Sequence, residues 1–268
     1  MNVPPIIISL TNAELRDLTY AKALLETPGF MIRLANFLGS PIEKGFALLP
    51  KDWSETVHKA SHAALLKALE LAVVTMDKRG PSRSSEFFHK LLAGASGGIG
   101  GAFGLLALPF ELPISTSIML RSIADIARSE GHNLARMDTK LACLEVFALG
   151  GKSTSDDAVE SAYWLVRASL SRAISEAGTY LTQKGMAEQG APAVLRLITA
   201  IASRFGIIVS EQAAAKAVPV VGAASGSIIN VLFIDHFQDM ARGHFIVKRL
   251  ETKYGSELVQ NVYAEIAV

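Results

Sequence analysis

The sequence predicts an all-α protein, a compact multi-helix bundle in which two glycine-rich apolar helices pack closely at the centre. Three observations predict it. Apolar residues recur at helical spacing along most of the chain, and alternating strand patterns bounded by turns are nearly absent. Thr11 to Glu14 (TNAE) and Asp52 to Glu55 (DWSE) have the spacing of capping boxes, in which a side-chain oxygen and a Glu three residues on satisfy free helix amides. The breaks TPGF, GSP, KRGPS and QGAP are short, so one compact unit follows without a long linker.

Taken in order, the first cap starts a helix over 13–26, which TPGF ends. A short helix follows at 30–39 and stops at GSP. The second cap starts a helix over 53–77, closed by KRGPS. Helical patterns then cover 84–107, 113–130, 134–149, 156–183, 191–210 and 223–253. In ALGGKST, Gly150 and Gly151 stop the helix over 134–149, Lys152 favours its negative end, and Thr154 or Ser155 begins the next one. Residues 1–50 are expected to form an N-terminal helical segment packed on the main unit, 51–255 the main domain, and 256–268 a C-terminal tail.

Composition narrows the function. The 268 residues, half of them apolar, suffice for a sizeable core. A mean hydropathy of +0.32 is high, yet 19% charged residues are too many for a bundle of membrane spans. The net charge of +1 argues against nucleic acid, which needs a concentrated Lys and Arg surface. The single cysteine, Cys143, excludes an intramolecular disulfide, and its neighbours LACLEVFAL make it a small buried hydrophobe. MNVPPIIISL shows no basic segment before its short apolar run, so a cytoplasmic protein is expected.

The stretch Leu91 to Phe110 holds twenty uncharged residues, the length of a helix crossing a hydrocarbon core of about 30 Å. Six are glycine and Pro109 follows, so the segment is a poor independent helix. Gly94 with Gly98, Gly97 with Gly101, and Gly100 with Gly104 recur at four-residue spacing, which lets another backbone approach closely. Ala217 to Ile234 repeats the pattern with Gly222 and Gly226. A close-packed soluble core is the first reading, with a hairpin at a membrane surface or a true span as alternatives. Phosphate binding fares worse. SGGIGGAFG has no GxxxxGK, Phe103 stands where a third dinucleotide-loop glycine belongs, and ALGGKST has Val146 where a P-loop glycine belongs.

Three blocks carry a family likeness. GASGGIGGAFGLLALPFELPISTSIMLRSIADIARSEGHNL, LEVFALGGKSTSDDAVESAYWLVRASL and VPVVGAASGSIINVLFIDHFQDMARGHFIVKRLETKYG resemble, in that order, the signature blocks of the EcsC protein family, over roughly residues 50–255. The resemblance implies a bacterial helical protein, cytoplasmic or membrane-associated. It implies no reaction, cofactor or catalytic residue.

Polar residues within the apolar blocks are the weak catalytic candidates. Glu111 lies between Pro109 and Pro113, where the chain is expected to be non-helical; it could bind a cation or act as a base. The plainer reading is a carboxylate at the N-terminus of the helix over 113–130, or paired with an arginine. On that helix Arg121 and Asp125 are expected to pair, with Arg128 on the same arc. In IDHFQDMARGHF, His236 with Asp235, Asp239 or Glu111 could supply metal ligands or a hydrolase site. Asp235, Asp239, Arg242, Arg249 and Lys253 share an arc, though, as a solvent-facing ion-pair stripe would. His236 and His244 stand about 80° and roughly 12 Å apart along a helix, too far for one ion. There is no HExxH in the chain and no ExxH in this segment, so no metal and no cofactor is expected, and His244 reads as a core histidine. GASGG, Gly94 to Gly98, has the spelling of GxSxG, but no strand pattern precedes it as a nucleophile elbow requires, and Ser96 reads as a small packing residue.

The expected function is a non-catalytic accessory or lipid-binding protein, peripheral at the inner face of the membrane. It would bury an acyl chain between the Gly-rich helices, or insert the region Leu105 to Phe110, with Arg121, Arg128, Arg242 and Lys248 for anionic headgroups. The expected partners are a lipid or other apolar ligand and a membrane or membrane protein. The alternatives are a hydrolase built on Glu111 with Asp235, His236 and Asp239, and a protein-interaction module.

Overall fold

Thr11 and Glu14 form the reciprocal cap that TNAE predicts. The Thr11 amide donates to Glu14 Oε2 at 3.0 Å and the Glu14 amide to Thr11 Oγ1 at 3.3 Å. They open α1, Asn12–Glu26, in a computed structural model that describes residues 10–26, 30–38, 43–76, 104–151, 159–185, 191–217 and 222–267. The second box does not form. Asp52 precedes α4 (Trp53–Thr75) without a side-chain bond to its amides, and Glu55 pairs instead with Lys59 at 2.5 Å, because an i,i+4 cation competes for the carboxylate.

Among the described residues all regular structure is helical. Between α1 and α4 lie α2 (Phe30–Leu38) and α3 (Glu43–Ala47). After α4 come α5 (Gly104–Ser129), α6 (Met137–Glu145) with a 3-10 turn at Val146–Ala148, α7 (Val159–Lys184), α8 (Pro192–Ala217), α9 (Gly222–Tyr254) and α10 (Ser256–Glu265). The periodicity predicts neither α3 nor α10, and α8 runs on to Ala217 instead of stopping at 210. The largest difference is at α5, which is continuous through Pro109 and Pro113. Each proline removes one backbone bond. Extensive packing of α5 on α4, with Leu112, Met119, Leu120 and Ile123 buried, offsets that loss. Of the helix expected over 84–107, residues 84–103 lie outside the described residues, and with them Gly94, Gly97, Gly98 and Gly101. Gly104, Gly222 and Gly226 fall in the opening turns of α5 and α9.

Helix α8 is long and apolar enough, by length and composition, to cross a membrane. Here it packs on α3, α4 and α7, with Leu197, Ile201, Phe205 and Ile208 fully buried. Aromatic edges lock it to its neighbours, where Phe205 meets Phe147 at 5.2 Å and Phe237 at 5.6 Å, and a further edge contact joins Phe233 of α9 to Phe30 of α2 at 5.5 Å. A Cβ on Gly45 would stand 2.0 Å from the Ala214 carbonyl oxygen, so only glycine lets α3 lie against α8.

Helix directions place the two ends of the bundle. Ser122 accepts from Gln238 at 2.8 Å and His132 Nε2 lies 3.0 Å from the Phe245 carbonyl, so α5 and α9 run parallel. Glu176 with Arg196, and Ser169 with Arg204, make α7 and α8 antiparallel. The first half of α5 and the start of α9 therefore share an end.

Candidate functional site

That shared end leaves large apolar side chains in water. On α5, Phe110 is 76% exposed and Ile114, one turn on, 50%. On α9, Ile228 and Val231 are also exposed. Gln212, near the end of α8, donates to Asn230 Oδ1 at 3.0 Å, which brings the last turns of α8 to the same place. Glu111 is exposed there, in the helix interior and not at a break. Its charge neighbour is Lys216 of α8, whose ammonium is held below the usual lysine range by burial and partly restored by Glu111.

The structure does not collect the other predicted catalytic candidates around Glu111. His236 is buried against Phe30 and Phe237, and its ring bonds to the Leu149 backbone. Burial, with the Arg33 charge, pushes its pKa down to about 3. It covers Gly150, whose φ of +76° suits glycine. A Cβ there would stand 2.4 Å from the imidazole. Asp239 accepts from Arg33 of α2 at 2.9 Å, and exposed Asp235 is held above the usual carboxylate range by partial burial and by Asp239. No group of three His, Cys, Asp or Glu side chains able to hold a metal occurs among the described residues.

The stripe read as solvent-facing instead ties helices together. Asp239 reaches α2, Arg249 donates to Asp17 of α1 at 2.8 Å, and Lys253 donates to Glu14 at 2.7 Å. Nor do Arg121 and Asp125 pair. Arg128, three residues on from Asp125, takes that carboxylate at 2.6 Å, and Arg121 is exposed. Arg242 lies 3.9 Å from Asp239, and the Lys248 charge faces Glu145 and Asp138.

Sequence reasoning missed a buried polar centre. Tyr163 OH and His244 Nδ1 are 3.0 Å apart, and Glu145 Oε2 stands 3.5 Å from His244 Nε2. Arg167 grips Glu251 with two bonds of 2.9 and 2.8 Å, and Ser256 adds a third at 2.9 Å. Burial holds His244 well below the usual histidine range, so its imidazole is neutral at pH 7, and burial raises the Glu145 carboxyl. The available signal was polar residues inside apolar helices, Tyr163 and Arg167 one turn apart on α7. His244 is the core histidine expected, and Cys143 is buried with its thiol pKa raised by burial.

A groove of about 830 Å³ opens at the end of α4, between α6 and α7, lined by Val73, Met137, Leu141, Ile174, Lys140 and Thr179. Its cations are engaged within the chain: Lys140 donates to the Val73 carbonyl at 3.2 Å and Arg136 pairs with Asp138 at 2.8 Å.

No curated protein and no solved structure matches this sequence. A family model does, over residues 30–250, which take in α2 to α8 and all but the last four residues of α9. The chain belongs to the EcsC protein family.

Proposed function

We propose that this EcsC protein is a non-catalytic, membrane-associated accessory protein that meets a lipid bilayer through the end of the bundle bearing Phe110. The observation that carries this reading is Phe110 standing in water with Ile114, Ile228 and Val231 at the same end. Burying one such side chain is worth about 2 kcal/mol, a gain the folded chain forgoes and a bilayer interface supplies. The charges nearby, Lys216 and Glu111, oppose each other. Contact at this end is therefore apolar in character. Two of the headgroup cations that the sequence suggested do not serve it. Arg128 and Lys248 stand roughly 25 Å further along their helices than Phe110 and Val231. The protein works, on this reading, at the cytoplasmic face of the membrane.

The test is flotation of the purified protein with vesicles of phosphatidylcholine alone. Wild type rises with the vesicles, and the double variant Phe110→Ser, Ile114→Ser stays below, with unchanged circular dichroism. A wild type that remains below, or a double variant that still rises, sinks the reading.

A further inference from the structure

The outer face of α7 and α8 has a chemistry the Phe110 end lacks. At about 100° per residue, Leu165, Ser169, Arg172 and Glu176 fall on one stripe of α7, and Arg196, Ser203 and Ile207 on one stripe of α8. The antiparallel packing lays the stripes side by side. Arg196 donates to Glu176 Oε2 at 2.6 Å, and Arg204, flanking its stripe, donates to Ser169 Oγ at 3.5 Å. In that register Leu165 comes beside Ile207, 57% and 44% exposed.

Charge on this face is unbalanced. Arg172, Arg196 and Arg204 provide three guanidinium groups, and Glu176, shared by Arg172 at 2.9 Å and Arg196 at 2.6 Å, is the one carboxylate on the two stripes. The Arg172 and Arg196 side chains are largely exposed. Guanidinium groups bind phosphate oxygens with paired, well-directed N–H donors. Exposed aliphatic side chains next to them suit a surface with hydrocarbon below its phosphates, where each cation adds attraction to anionic lipid.

We propose that the α7–α8 face docks on an anionic bilayer surface, with Arg172, Arg196 and Arg204 meeting lipid phosphates and Leu165 and Ile207 entering beneath them. The choice of a bilayer as partner rests on the membrane reading above. The two contacts nevertheless differ in what they demand, since the Phe110 end requires no anionic lipid and this face does.

Flotation with two vesicle types separates them: phosphatidylcholine alone, and phosphatidylcholine with one-third phosphatidylglycerol. The anionic lipid raises wild-type partitioning about tenfold or more, and high salt removes that increment. The triple variant Arg172→Gln, Arg196→Gln, Arg204→Gln loses the increment while its binding to neutral vesicles and its circular dichroism stay as in wild type. Equal partitioning of wild type into both vesicles, or a triple variant that keeps the increment, overturns this proposal and leaves the apolar contact standing. Binding to anionic vesicles alone, abolished by the triple variant, overturns the apolar contact and leaves this face standing. Binding to neither overturns both.

Discussion

The two halves of α9 differ in how far their side chains are committed. Near its start, Ile228 and Val231 face water beside the Phe110 region of α5. Toward its end His244, Arg249, Glu251 and Lys253 are each tied to another helix, through Tyr163, Asp17, Arg167 and Glu14. The later half is thus spent on holding α1, α7 and α10 in place, while Ile228 and Val231 near the start stay in water and Ile229, Phe233 and Phe237 beside them enter the core.

The most damaging way to break the committed half is Arg167→Ala. It leaves the little-exposed Glu251 carboxylate without its bidentate partner, and urea denaturation should show a loss of about 3 kcal/mol. Adding Glu251→Ala should return part of that loss, because the stranded charge goes with it.

Acid is the next probe. A histidine whose folded pKa is depressed binds protons more readily when unfolded. Its contribution is therefore complete above pH 6.5 and is lost as the pH falls towards the folded value of about 3. His236 alone should remove about 2 kcal/mol of stability between pH 7 and pH 5. His244 acts with the same sign, and the raised Glu145 carboxyl acts against it, since its protonation relieves a buried charge. Melting temperatures at the two pH values test this, and His236→Leu should flatten the dependence.

Smaller still is Thr11→Ala, which removes one side of the α1 cap and should cost about 1 kcal/mol in the same urea experiment. Phe110→Ser, at the uncommitted end, should change folding stability by no more than about 0.5 kcal/mol. A larger loss would mean that Phe110 belongs to the core and that the contrast between the halves is false.

Local chemistry made much of this fold legible. The Thr11 cap and the turn at Gly150 depend on residues within a few positions of one another, which a sequence displays directly. What escaped depends on partners far along the chain. Lys22 donates to the carbonyls of Tyr263 and Ile266, closing the end of α10 from α1, and no local pattern announces a bond between residues so distant. The same holds for Arg167 with Glu251. Local rules also mislead where two satisfy the same group: Asp125 has arginines on either side and takes the one three residues ahead, and Glu55 takes Lys59 over the helix start. Of the candidate site, Phe110 was legible as part of an apolar run. The Arg172, Arg196 and Arg204 face was not, because it exists only once α7 and α8 lie antiparallel.

Pro109 and Pro113 give α5 an uneven stiffness. Neither supplies an amide hydrogen, so the carbonyls of Leu105 and Pro109 lack the usual strut four residues on. Both gaps lie in the segment that carries Phe110. Two struts are thus missing within about one turn, and from Ile114 to Ser129 no further proline interrupts the ladder. Packing takes over what those bonds would have held: Leu108 and Leu112, on the side of the helix away from Phe110, anchor this stretch in the core.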